Sequence, residues 1–573
     1  MSEFRRALPH LSEGQKLLVF SGVIGLASGL AATGFYWMLN TFVHFFLVAR
    51  PAGLTLTSIL TIILSPALGG LACGIMLHYF SPDARGGVAE VIDAILHRNG
   101  FIRPRVGFFK AFASAICIGS GGSAGREGPV VQIGASVGST LAQAFRVGRK
   151  HSQILVACGA AGGIAAVFNA PISGAFFAAE IITGRFEMKD LTLLFTASAF
   201  GAGVSRTLLY NHATFEVPPY QLTNIWGLVF HAILGVLCAL IGHAFIHLLH
   251  QSEKRFAKLD LPFVVKPAIG GLLVGLIGLG IPEVFGTGGE LLADIFVSPV
   301  APGILLLWML AKLVATPLTL GSGGSGGDLM PSLFIGGTLG GAFGHFAHAA
   351  FPLTTMPAGA YALVGATAFF AGVSQAPMTA IILGFEMGQD YGIILPLMLA
   401  CSLSALVSRH FRSGSLYTGK LMERGIDVEK LRQARLGPLD LVTVGEVMSA
   451  NAISVSPEMP IQELSEKFVK EGKHRYVVID DGKLIAVVTE SDVQKALESE
   501  PKPSTVRDIA SPNPVVCFAS DTLEQAILKL SPYEFGGMPV VSEEDPSQVV
   551  GMISRKDILH GYSLGTSKSR RTR

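Results

Sequence analysis

Charge is what this sequence has least of. Soluble chains carry about 25% charged residues; here the figure is 15% over 573 residues, and the shortfall is uneven. The last 143 residues hold 37 charged side chains, while the first 430 hold only 47. A large apolar part is thus followed by a normally charged, soluble one. Paired cysteines are lacking too. Cys73, Cys117, Cys158, Cys238, Cys401 and Cys517 are scattered with none at CxxC spacing, which argues against a zinc site or a disulfide framework. Excess charge of one sign is absent: the net charge is +2, and no nucleic-acid partner is expected. No HExxH occurs, and no enzymatic activity or metal is expected.

Long charge-free runs are abundant. Leu17–Val48 and Ile225–Leu249 contain no charged residue, and about 20 apolar residues span a hydrocarbon layer of about 30 Å. The first run is too long for a signal peptide. The apolar part therefore reads as an integral, multi-pass membrane protein in contact with lipid. Basic residues cluster at Arg5, Arg6 and Lys16, at Arg98, Arg103, Arg105 and Lys110, at Arg146, Arg149 and Lys150, and at Arg409 and Arg412. Such clusters mark cytoplasmic loops, so both termini are expected in the cytoplasm. The compact chain suggests a prokaryotic inner (plasma) membrane.

Glycine and proline break these runs, with 68 Gly and 30 Pro in the chain. Broken helices at membrane depth are tolerated where they line a protein cavity, and transporters that use them often contain internal repeats. A repeat is present. GSGGSAGREGPVVQIGASVG (119–138) and GSGGSGGDLMPSLFIGGTLG (321–340) share ten of twenty positions without a gap. NAPISGAFFAAE (169–180) then matches QAPMTAIILGFE (375–386) in the same order. The membrane part is a duplicated unit.

The duplicated loops also satisfy the dinucleotide fingerprint GxGxx(G/A). That fingerprint needs a preceding strand and a following acid, yet residues 128–179 and 329–385 contain no Asp or Glu. A Gly-rich loop opening into a helix instead presents free backbone N–H groups and the positive end of the helix dipole. Two such ends, one per repeat, could converge on an anion with no full positive charge in lipid. The plainer alternative is that the glycines only let helices pack closely. Glu127 stands out as an ionisable group inside this segment, and such groups are costly and usually functional. Its carboxylate can take the anion's place, and protonation would release it. The alternative is a structural ion pair with Arg126.

At these residues the chain resembles the CLC family of chloride channels and proton-coupled anion exchangers. GREGP (125–129), NAPISG and GFEMGQDYGIILPLM (384–398) carry the resemblance, which covers residues 15–425. It implies an all-α polytopic membrane domain, an inverted repeat of about 18 mostly short helices, and a homodimer with one pathway per subunit. Chloride or a similar small anion, and protons, are the implied partners. Glu127 becomes the gate and proton acceptor. Arg126, Gly128, Asp328, Leu329, Tyr417 and Gly86 become the anion-binding positions, with the Tyr417 hydroxyl on the central anion. Three of these positions depart from the family pattern. Gly86 replaces an anion-binding serine, which leaves the choice of anion open. Asp328 is a new acid, read either as a favourable first-turn Asp or as a partner of Arg126 across the pseudo-symmetry axis. Ile181 stands where exchangers carry an internal proton-transfer glutamate, and apolar residues there are typical of channels, although some microbial exchangers also lack the acid. Exchange is slightly favoured over a passive chloride channel. A membrane-embedded sensor that transports nothing is the reading from another class.

In the soluble part, VSPEMPIQEL (455–464) parallels CFASDTLEQA (517–526), and VVTESDV (487–493) parallels GMISRKDIL (551–559). The runs suggest two β-α-β-β-α units and resemble a soluble α/β pair of CBS domains. The resemblance implies that Thr489 and Asp492, and Ser554 and Asp557, can hold the ribose of an adenine nucleotide; the same residues also suit helix caps. The domains are expected at 1–15 (N-terminus), 16–425 (membrane), 426–443 (linker), 444–500 and 501–563 (CBS), and 564–573, a basic solvated tail without fixed structure.

Overall fold

The computed structural model divides into two compact units, Met1–Ile426 and Asp427–Arg573. It describes residues 12–48, 55–145, 147–209, 217, 224–411, 414–426, 428, 439, 442–450, 452–499, 503–530 and 536–571. Arg5, Arg6, Arg146 and Arg412, and most of the expected 1–15 and 426–443 segments, lie outside these.

The first unit is helical, and its helices fall into two matching series. The first series runs α1 (Glu13–Val43), α2 (Leu56–Ile75), α3 (Val88–Leu96), α4 (Pro104–Gly119), α5 (Glu127–Ala144), α6 (Arg149–Phe168), α7 (Pro171–Phe177) and α8 (Met188–Leu208). The second runs α9 (Gly227–Lys258), α10 (Lys266–Gly280), α11 (Gly289–Val297), α12 (Pro302–Gly321), α13 (Leu329–Ala350), α14 (Ala358–Ser374), α15 (Pro377–Gly388) and α16 (Ile394–Phe411). A short α17 (Leu416–Glu423) closes the unit. Among the described residues, six helical stretches are long and apolar enough to cross a membrane, and four more are apolar but shorter. Large apolar side chains such as Leu30, Leu68, Leu310 and Leu406 remain exposed on the outside. The protein is an integral membrane protein.

The duplication extends to backbone detail. Gly121 and Gly323 both take positive φ, 120° and 98°, a conformation that side chains with a Cβ resist. Asn169 and Gln375 end α6 and α14 in the left-handed region at φ 50° and 55°, and a proline then opens α7 and α15. There the missing N–H costs nothing. A Cβ on Gly134 would lie 2.2 Å from the Gly159 carbonyl oxygen, and one on the matching Gly336 would lie 2.3 Å from that of Gly365. Helices α5 and α6, like α13 and α14, therefore touch backbone to backbone. The two series are also stitched crosswise. Glu180 accepts from the N–H groups of Met378 and Thr379 and from the Thr379 hydroxyl at the start of α15. Glu386 accepts from Ile172, Ser173 and the Ser173 hydroxyl at the start of α7. Each carboxylate satisfies orphan donors of the other series' helix.

The second unit contains α18 (Val444–Val447), β1 (Ser454–Val455), α19 (Ile461–Glu471), β2 (Arg475–Asp480), β3 (Lys483–Thr489), α20 (Glu490–Glu498), α21 (Val506–Ile509), β4 (Ser511–Pro512), β5 (Cys517–Phe518), α22 (Leu523–Leu530), β6 (Gly537–Val541), β7 (Val549–Ser554) and α23 (Arg555–Arg571). Strands β1-β2-β3-β4 form one sheet and β5-β6-β7 another. In both, the first pair is parallel and the next antiparallel. The modules exchange their leading segments. Val442 and Val444 are buried in the core of the second module with Leu523, Val540 and Ile553. Val506 is buried in the core of the first with Leu464, Tyr476 and Val488, and β4 pairs with β3. A cut at 500/501 thus separates chain segments but not hydrophobic cores. The tail expected to lack structure continues α23 as far as Arg571, because no Gly or Pro follows Gly565 to stop the helix.

Candidate anion site and its gate

Helices α5 and α13 begin at the duplicated loops, and the loops meet. Gly125 and Gly327 form an antiparallel bridge, each N–H donating to the other's carbonyl at 2.7 Å. Such mutual pairing is what a pseudo-two-fold axis between the loops requires. Ser114 and Ser325 hydroxyls bond across the same junction at 2.7 Å. Ser123 bonds Thr316 at 3.1 Å, so Ser123 and Ser325 of the loops join the repeats. Pro129 and Pro331 fall in the first turns of α5 and α13.

Glu127 opens α5 but spends its carboxylate on the other repeat. Oε1 accepts from the Met330 N–H at 2.9 Å, and the Leu329 N–H also faces the carboxylate. Oε2 has no hydrogen-bond partner among the described residues, and the residue is 1% exposed. A negative group therefore sits at the positive end of α13. The ion pair weighed for Arg126 does not form. Its guanidinium lies over the Tyr36 ring, 5.3 Å from the centroid, and its Nε has no hydrogen-bond partner among the described residues.

Nor does Asp328 meet Arg126. Its carboxylate faces the Tyr417 hydroxyl and Lys420. Arg126 has turned to Tyr36, while Asp328 lines a cavity that does not include Arg126. Tyr417 is buried, on α17, whose first turn Ser415 caps through the N–H groups of Tyr417 and Thr418. Gly86, Gly128, Gly327, Asp328, Tyr417 and Lys420 line this one cavity, of about 300 Å³. The structure thus brings together Gly86, Gly128, Asp328 and Tyr417, with Leu329 buried behind them and Arg126 directed elsewhere.

Gly86 has a local cause: a Cβ there would lie 1.7 Å from Cγ of Glu90. Glu90 is held by Arg98 at 3.2 Å and Arg424 at 2.6 Å. Two basic residues, one from the 98–110 cluster and one from the end of the unit, therefore meet on one carboxylate. Lys110, counted with that cluster as a loop charge, is instead 1% exposed in α4, and its ammonium donates to the Gly86 carbonyl. Its counterpart 202 residues on, Lys312, is also fully buried and donates to Val284 and Gly286 carbonyls at 3.0 and 2.9 Å. The repeat offset could have revealed both. Ile181 is 5% exposed and apolar, and the adjacent Glu180 is committed to α15.

In the second unit both T/S-x-x-D turns close on themselves. Asp492 accepts from the Thr489 N–H and hydroxyl at 2.9 and 2.7 Å. Asp557 accepts from the Ser554 N–H and hydroxyl at 2.8 and 2.6 Å. These are helix caps. Nearby, Arg475 on β2 approaches Gly536 and Gly537 of the second module. Its Nη1 is buried without a hydrogen-bond partner among the described residues. Burial and the neighbouring Arg555 hold this guanidinium below its ordinary range.

The helical repeat with helix ends meeting at a carboxylate defines an anion-transport fold, and comparison with known proteins agrees. The voltage gated chloride channel family model matches residues 69–409, and the CBS domain model matches 444–499 and 506–563. The chain belongs to the CLC family and carries a CBS pair behind its membrane domain. A putative chloride channel protein ClcB-like from Ralstonia nicotianae is 32% identical over 73% of this chain and 99% of its own length. The H(+)/Cl(-) exchange transporter ClcA of Vibrio parahaemolyticus is 31% identical over 73% and 92%. Among solved structures, a slow cyanobacterial Cl-/H+ antiporter superposes with a TM-score of 0.65 at 25% identity, covering 72% of this chain and 98% of that one.

Proposed function

We propose that this protein exchanges chloride, or a similar small anion, for protons across a prokaryotic plasma membrane, as a homodimer with one pathway per subunit and Glu127 as gate and proton acceptor. The observation that carries the reading is the Glu127 carboxylate seated on the Met330 N–H at the start of α13. A carboxylate and an anion compete for the same donors. A proton added to Glu127 weakens its hold, and an anion entering the seat displaces it, so one residue links the two movements. The relatives named as H(+)/Cl(-) exchangers and the antiporter structure support this direction. Both termini face the cytoplasm in this reading, with the Tyr417 cavity open on that side. The Arg98–Glu90–Arg424 contacts support it, because they place a basic loop and the end of the membrane unit on one face.

The test is uphill proton movement into liposomes holding the purified protein under a chloride gradient. Transport that is lost in Glu127→Ala supports exchange. Chloride flux with no proton movement would make the protein a passive channel, the reading that Ile181 favours. With no flux of either ion the same assay is run with nitrate, bicarbonate and fluoride, and no flux of any of them would leave a sensor.

The CBS pair is proposed to regulate transport by binding an adenine nucleotide. Thr489, Asp492, Ser554 and Asp557 would face its ribose, and Arg475 with Arg555 its phosphates. The buried, unpartnered Nη1 of Arg475 favours this, since an anion would offset its burial. Calorimetric titration with ATP should show binding in the full-length protein and a loss of at least tenfold in Arg475→Met; no binding to the unaltered protein would end the proposal.

A further inference from the structure

Resting on the exchange reading, we propose that Asp328 is the proton acceptor on the cytoplasmic side of the pathway, and that its carboxylate holds the Tyr417 hydroxyl away from the anion until a proton neutralises it. The position where exchangers carry an internal acid is Ile181, which cannot take a proton, and the neighbouring Glu180 is bound by two N–H groups and a hydroxyl. Four acids line the cavity; Glu90 is paired with Arg98 and Arg424, Glu253 with Lys420 and Glu423 with His250, and Asp328 is the one with no ion pair among the described residues. It is the N-cap of α13, yet its side chain makes no capping bond; it turns to Tyr417 and Lys420 instead. Tyr417 is 4% exposed and lines the cavity of about 300 Å³ that Asp328 also lines.

Charged and titratable groups surround Asp328 from three helices. Tyr417 and Lys420 face it from α17, Glu253 from α9, and Glu127 from α5. The Glu90–Arg424 pair, the Glu423–His250 pair through Glu423, and Arg85 line the same cavity. Lys420 is paired with Glu253 at 2.8 Å, and its charge also acts on Asp328. One proton brings that trio to neutrality.

A proton from cavity water adds to a carboxylate oxygen of Asp328, forming one O–H bond. The Tyr417 O–H is freed and donates to the entering anion, whose charge replaces the one lost. When the anion leaves, the proton passes to Glu127 or returns to water, and the carboxylate takes the phenol again. A carboxylate thus gates each end of one anion path, Glu127 at the N–H donors of α13 and Asp328 at the phenol.

Chloride binding to full-length protein tests this without relying on transport. In Glu127→Gln protein, calorimetry in two buffers of different ionisation enthalpy counts protons taken up with chloride between pH 5 and 8. Uptake of about one proton per chloride is expected, falling to none in Glu127→Gln/Asp328→Asn. The Glu127→Gln protein should also gain an infrared carboxylic-acid C=O band on adding chloride, a readout that needs no Asp328 variant. No uptake and no band in Glu127→Gln, or equal uptake with and without Asp328, would overturn the proposal. In liposomes, Asp328→Asn should conduct chloride while losing proton coupling. If the unaltered protein moves no protons, the exchange reading fails by itself, and the calorimetric result still decides the role of Asp328.

Discussion

Glu127→Gln isolates the charge of the gate while keeping its shape. In the native residue Oε1 accepts the Met330 N–H at 2.9 Å within a site that is 1% exposed. A hydrogen bond to a charged group contributes about 1.5–3 kcal/mol and a neutral one about 0.5–1.5 kcal/mol. The amide should therefore hold the seat about 1–2 kcal/mol less firmly, roughly 5- to 30-fold in the equilibrium between seated and displaced gate. Chloride competes for that seat, so its apparent affinity should rise by the same factor. Isothermal titration with chloride at neutral pH measures this directly, and proton uptake in liposomes should vanish because an amide carries no titrating proton. An affinity within twofold of the unaltered protein would refute the reasoning. So would a fall, which would show that desolvation of the carboxylate outweighs its attraction to the helix end.

Three further outcomes are expected. Gly86→Ser places a Cβ 1.7 Å from Cγ of Glu90, so it should lower the melting temperature. Adding Glu90→Ala should restore part of the loss, a coupling visible in a double-mutant cycle, and anion competition should then show an altered chloride-to-nitrate preference from the new hydroxyl. Glu386→Gln weakens three bonds at the start of α7; a stability loss of about 1–3 kcal/mol with chloride binding unchanged is expected by thermal denaturation and titration. Val444→Ala removes two methyl groups from a fully buried position, costing about 2 kcal/mol, and amide exchange should quicken in the second CBS module and not in the first.

Local pattern carried much of the fold and of the site into the sequence. The duplicated glycine loops were legible because their backbone conformations, at Gly121 and Gly323, leave few residues to choose from. The place of Glu127 at the junction of the two loops was legible because it sits in one of the two duplicated, Gly-rich segments. What failed was direction in space. Asp328 aligns with Arg126 in the repeat, but alignment fixes backbone positions and not where a side chain turns; Tyr36 draws Arg126 one way and the cavity draws Asp328 the other. Lys110 looked like a loop charge because it follows three arginines, whereas α4 starts at Pro104 and carries it inward to the Gly86 carbonyl. The exchange of Val442–Val444 and Val506 between the CBS cores was hidden because a short β-branched run specifies burial without naming the core it enters.

The reversal potential of the reconstituted protein under equal chloride and a tenfold proton gradient tests the central claim most directly. Coupled exchange through Glu127 predicts a nonzero potential that returns to zero in Glu127→Ala. A zero potential in the unaltered protein, with chloride current present, would contradict it.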